Sequence, residues 1–65
     1  MDLKEYYAKR VKIIDADGTL HIGTVNDYFY PDENDSNVES IVVDMPDGSC
    51  VEFTRNDIKT IIVIG

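Results

Sequence analysis

Asp17-Gly18-Thr19-Leu20-His21-Ile22-Gly23-Thr24-Val25 decides the fold of this 65-residue chain. Gly18 follows aspartate in a turn dipeptide that favours positive φ, and Gly23 lies five residues on, inside an apolar-alternating run. A tight turn feeding a strand that then bends is the mark of a small β-barrel. Leu20 and Ile22 set one face of that strand, while Val25 and Phe29 fall on the opposite parity. A bulge or bend at Gly23 is therefore expected to return Val25 to the core, and His21 is expected to face solvent.

Working outward, Asp2 can cap a short α-helix over about residues 2–8, with Glu5 at the capping-box position and Leu3, Tyr6 and Tyr7 at helical spacing. Strands are expected over about 9–15, 19–30, 39–45, 49–54 and 58–64. Val11 and Ile13 share one face of the first; Ile41, Val43 and Met45 share one face of the third; Val51 and Phe53 share one face of the fourth. Gly48, in Pro46-Asp47-Gly48-Ser49, supplies a second turn glycine. Pro31 to Asn37 is polar and charged, an exposed loop. The expected fold is all-β: one domain over 1–65, a small five-stranded, strongly bent antiparallel barrel with a short N-terminal α-helix.

The chain carries 13 acidic and 6 basic residues, a net charge of −7. Four of the cations, Lys4, Lys9, Arg10 and Lys12, fall in the first twelve residues, so the remainder is strongly acidic. Phosphate neutralisation drives nucleic-acid binding, and such a body repels it except at that basic start. No apolar run approaches the roughly 20 residues that span a bilayer. Together with a lone cysteine, Cys50, and no export-like leader in the first residues, this leads to the expectation of a soluble, cytoplasmic protein that engages no membrane.

No catalytic constellation and no cofactor motif is visible. Asp32, Asn34 and Ser36 take the first, third and fifth positions of a calcium loop, but Asn37 stands where glycine is needed and Val43 where a bidentate glutamate is needed. His21 lacks a second ligand nearby, and Cys50 lacks an activating neighbour, so no metal site is expected. Tyr28 and Tyr30 share a strand face. They form either an exposed aromatic surface for stacking or peptide binding, or a packing surface for the terminal helix through Tyr6 or Tyr7. Ile61-Ile62-Val63-Ile64 leaves no polar face for water; with Ile61 and Val63 continuing the core, Ile62 and Ile64 are the candidate interface residues.

The turn glycine Gly18 and the second glycine Gly23 resemble the first motif of the Sm and Sm-like family, within the SH3-like small barrels. Arg55-Asn56-Asp57-Ile58-Lys59-Thr60-Ile61 is similar in part to its second motif, an Arg-Gly turn before an isoleucine-rich strand. The resemblance implies an N-terminal helix, five bent strands and assembly by pairing the edge strands of neighbouring subunits. In the family an aspartate and an asparagine after the second strand hold RNA; here Phe29 stands at the aspartate position, and no RNA-contacting residue is carried over. The expected function is a non-enzymatic binding or assembly module with a protein partner or further copies of itself. The alternatives are an Sm-like RNA-binding protein and an acidic inhibitor that mimics nucleic acid.

Overall fold

The computed structural model describes residues 2–31 and 37–65. The calcium-loop positions Asp32, Asn34 and Ser36 lie outside the described residues; Val43, its twelfth position, is fully buried in the core. Five antiparallel strands form one sheet: β1 (Arg10–Asp15), β2 (Leu20–Phe29), β3 (Ser40–Asp44), β4 (Cys50–Thr54) and β5 (Ile58–Val63). They lie side by side in the order β4-β3-β2-β1-β5. The sheet is barrel-like but not closed, since β4 and β5 remain its two edges. A 3-10 helix, Leu3–Tyr6, precedes β1 where an α-helix over 2–8 was expected. Asp2 caps it by accepting from the Lys4 N–H, and Ala8 at φ +65° ends the segment before β1.

The two short hairpins are closed by the same device. Gly18 N–H donates to Asp15 O at 2.9 Å and Asp15 N–H to Thr19 O at 3.0 Å; Gly48 N–H donates to Met45 O at 3.0 Å and Met45 N–H to Ser49 O at 2.8 Å. Each glycine takes positive φ, +88° and +91°, a region where a Cβ is strained. These are three-residue loops in which a turn is followed by a left-handed residue. Side chains reinforce both: Asp15 accepts from the Asp17 and Thr19 N–H groups, and Asp47 accepts from Ser49 N–H.

β2 carries the curl. Residues 20–24 pair with β1 and residues 24–29 pair with β3, so Thr24 is bonded on both sides and the strand changes partner there. The core is one cluster: Leu3, Val11, Ile13, Val25, Ile41, Val43, Phe53, Ile58 and Ile61, with Tyr6, Tyr28 and Met45 packed against it. Leu3 is fully buried, which ties the 3-10 helix to the core.

The parity of β2 differs from the sequence expectation. His21 lies opposite Ile13 and Gly23 opposite Val11, both buried, so His21, Gly23 and Val25 share the inward face. Leu20 and Ile22 therefore point outward, and Leu20 is 52% exposed. No register shift occurs at Gly23. The extra residue is Asn26, between the Val25↔Val43 and Asp27↔Val42 pairs, and it brings Tyr28, not Phe29, onto the inward face opposite Ile41. A second irregularity falls at Lys59: Ile14 pairs with Thr60 but Asp15 with Ile58, which lets Ile58 and Ile61 both enter the core.

Candidate protein-interaction surface

Alternation along β1 sends Val11 and Ile13 inward and Arg10, Lys12 and Ile14 outward. Registered neighbours place three rows across the outer face of β2, β1 and β5. Ile22, Lys12 and Ile62 form the central row; Leu20, Ile14 and Thr60 form one flank. Thr24 and Arg10 form the other flank, joined by Ile64, whose N–H donates to Arg10 O at 2.9 Å. Five aliphatic side chains, two threonines and two cations share this face, with no carboxylate among them. Ile62 is 44% exposed and Ile64 39%. The structure thus brings the two isoleucines singled out in the sequence together with Leu20, Ile14 and Ile22, which sequence parity had not grouped with them.

Val63 departs from the expectation of core packing. It lies on the inward side opposite Val11 yet is 48% exposed, because the open sheet has no further strand to cover it. The edges themselves have a definite polarity. In the β3–β4 hairpin the Met45–Ser49 bond and the Arg55 N–H to Glu39 O bond fix the alternation, which turns the backbone of Cys50, Glu52 and Thr54 toward the free edge of β4. Thr54 N–H is already taken by Asp57 Oδ2 at 2.9 Å, at the start of the 3-10 helix Arg55–Asp57. The Ile64–Arg10 bond likewise turns the backbone of Ile61 and Val63 to the free edge of β5.

The tyrosine pair divides. Tyr28 is half-buried and donates its hydroxyl to Glu39 Oε1 at 2.9 Å; the same oxygen accepts from Leu3 N–H at 3.2 Å. Glu39 is therefore the polar link between the 3-10 helix and the sheet, and sequence patterning gives no sign of it. Burial, then the Glu39 carboxylate, pushes the Tyr28 hydroxyl up to about 12. Tyr30 is 52% exposed, its ring edge-on to Tyr28 at 5.6 Å between centroids. Of the two, Tyr30 is the one that offers an aromatic surface; Tyr28 belongs to the packing.

His21 is half-buried. Its Nε2 lies 2.7 Å from Asp15 Oδ2 and its ring meets Phe53 edge-on at 5.1 Å. That hydrogen bond, reinforced by the Thr19 N–H, holds the Asp15 carboxyl below its ordinary range. Asp15, Asp17, Glu52, Phe53 and Asp57 line an open concavity of about 230 Å³. Among the described residues no three such ligands are placed to hold a metal ion. Cys50 is exposed and its thiol donates to Asp44 Oδ1 at 3.0 Å; the carboxylate pushes the thiol pKa up, the reverse of what a nucleophile needs. Asp44 also accepts from Asn26 Nδ2, and these bonds hold its carboxyl low.

Comparison with protein-family models, with curated proteins and with solved structures returns no match to this chain.

Proposed function

We propose that this protein is a non-enzymatic binding and assembly module that associates through its two sheet edges. The observation that carries this reading is the pairing order, which leaves β4 and β5 each paired on one side only, while Ile62 and Val63 of β5 and Ile64 just beyond it are exposed. Unpaired edge backbone is a template for further strands, and monomers blunt such edges with charge, proline or cover. β5 has none of these at residues 60–64. The two edges are nearly matched in length, at five and six residues, so β4 of one copy fits β5 of the next. The resemblance to Sm-like proteins supports the same mode of assembly.

Sedimentation velocity over a hundredfold concentration range tests this. The wild-type chain is expected to sediment as a species larger than a monomer at the upper end, and Ile62→Lys to weaken that association while remaining folded. A monomer throughout would reject the reading.

A further inference from the structure

We infer that the outer face of β2, β1 and β5 is a docking surface for an acidic amphipathic segment of a partner protein: apolar side chains set against Leu20, Ile22 and Ile62, and carboxylates set against Arg10 and Lys12. The inference rests on the reading of the chain as a protein-binding module, but uses the sheet face and not its edges.

Charge argues for the occupant. The chain has 13 carboxylates, yet neither Arg10 nor Lys12 makes an ion pair or side-chain hydrogen bond among the described residues. Asp44, which continues the Arg10–Thr24 row on β3, is hydrogen-bonded by Asn26 and Cys50, and Asp47, in the β3–β4 turn, by Ser49; neither reaches Arg10 or Lys12 as an ion pair. Lys12 stands in the central row with Ile22 on one side and Ile62 on the other. A purely apolar partner would bury that ammonium unpaired, which is strongly unfavourable. A second copy stacked on the same face by a two-fold axis through the central row would set Lys12 against its equivalent. A segment carrying both leucine-like side chains and carboxylates satisfies every group on the face.

Shape agrees. Beyond Leu20 and Ile22 the aliphatic surface runs into an open groove of about 500 Å³ whose other walls are His21, Met45, Pro46, Asp47 and Val51. It lies between residues 20–22 of β2, which pair with β1 and not with β3, and the β3–β4 turn.

The test uses two synthetic helical peptides with the same leucine face, one flanked by glutamate and one by lysine, titrated into the isotope-labelled protein. The net charge of −7 favours the lysine peptide non-specifically. The inference expects the opposite on this face: the glutamate peptide shifts the resonances of Ile14, Leu20, Ile22 and Ile62, and Lys12→Glu weakens its binding by about tenfold. Lys12→Met, which keeps the aliphatic stem, is expected to weaken it to a similar extent without loss of fold. Absence of shifts with the glutamate peptide, or binding unchanged in both variants, overturns the inference, as does binding to anionic vesicles that competes for the same residues. Loss of self-association in Lys12→Met would assign the face to a second copy and overturn it too. Glu52→Pro separates the two readings: it blocks the β4 edge without touching this face, so edge assembly can fail while the peptide still binds, and the reverse.

Discussion

Gly23 faces the carbonyl of Asp44 so closely that a Cβ at residue 23 would collide with that oxygen and stand 2.7 Å from Val43 Cγ1. The glycine is needed for close backbone approach where β2 leaves β1 for β3, and not for a left-handed conformation. Gly23→Ala is expected to cost about 1–3 kcal/mol by overpacking, and Gly23→Val more. Gly18 and Gly48 have open space around them, so alanine there costs only the strain of positive φ, on the order of 1 kcal/mol. Urea melts of the three alanine variants check the order; a Gly23→Ala midpoint at or above that of Gly18→Ala contradicts it.

Leu3 and Tyr28 share one acceptor, Glu39 Oε1. Glu39→Ala leaves a buried N–H and a half-buried hydroxyl unpaired and is expected to cost about 2–4 kcal/mol, against about 1 kcal/mol for Tyr28→Phe. Because the Tyr28 hydroxyl is raised to about 12 in the folded state, its contribution is fully present below the unfolded value near 10 and is lost as pH rises through 12. Absorbance titration is expected to show one tyrosine ionising late, and Tyr28→Phe to remove that component.

Asp15, Asp44 and Asp47 are all held below the ordinary aspartate range, first by His21, Cys50 and Ser49 respectively. A carboxyl depressed by folding adds stability that is present above its unfolded pKa, about 3.9, and is lost as pH falls through the lower folded value. Thermal melts are expected to fall below pH 4. Asp15→Asn is expected to flatten that fall; an unchanged acid limb would contradict the assignment.

How much of this was legible in the sequence varies with the physics of each signal. Asp-Gly dipeptides announced both hairpins, because positive φ at Gly18 and Gly48 is a local demand of the turn. The facing of β2 was not legible, since the strand has aliphatic side chains on its outer side and a glycine at an inward position. Counting apolar parity then selects Leu20 and Ile22 and passes over Gly23 and His21. The bulges at Asn26 and Lys59 have no composition of their own; they are set by register with β3 and β1. Ile62 and Ile64 were visible as excess apolar residues, but the face that unites them with Ile14, Ile22 and Leu20 exists only once three strands are in register.

Nucleic-acid affinity, if measured, is expected to be confined to the basic start, Lys4, Lys9, Arg10 and Lys12, and to vanish near physiological salt. Anisotropy titration with single-stranded RNA at two salt concentrations checks this. Sub-micromolar, sequence-selective binding at the higher salt would favour an RNA-binding reading over the assembly one.

The pairing of the β4 edge with the β5 edge is tested most directly by blocking each edge in a separate chain. Glu52→Pro removes an N–H that faces the free side of β4, and Val63→Pro one that faces the free side of β5; neither takes part in the ladder to β3 or β1. Each variant alone keeps one usable edge and is expected to sediment as a folded monomer, Val63→Pro with its melting transition intact and Glu52→Pro with a lower one, because Glu52 also accepts the hydroxyl of buried Ser40. Mixed in equal amounts, the open β5 of the first meets the open β4 of the second, and a dimer containing one of each is the expected result. A mixture that stays monomeric, or either variant assembling alone as the wild type does, would contradict assembly through the sheet edges.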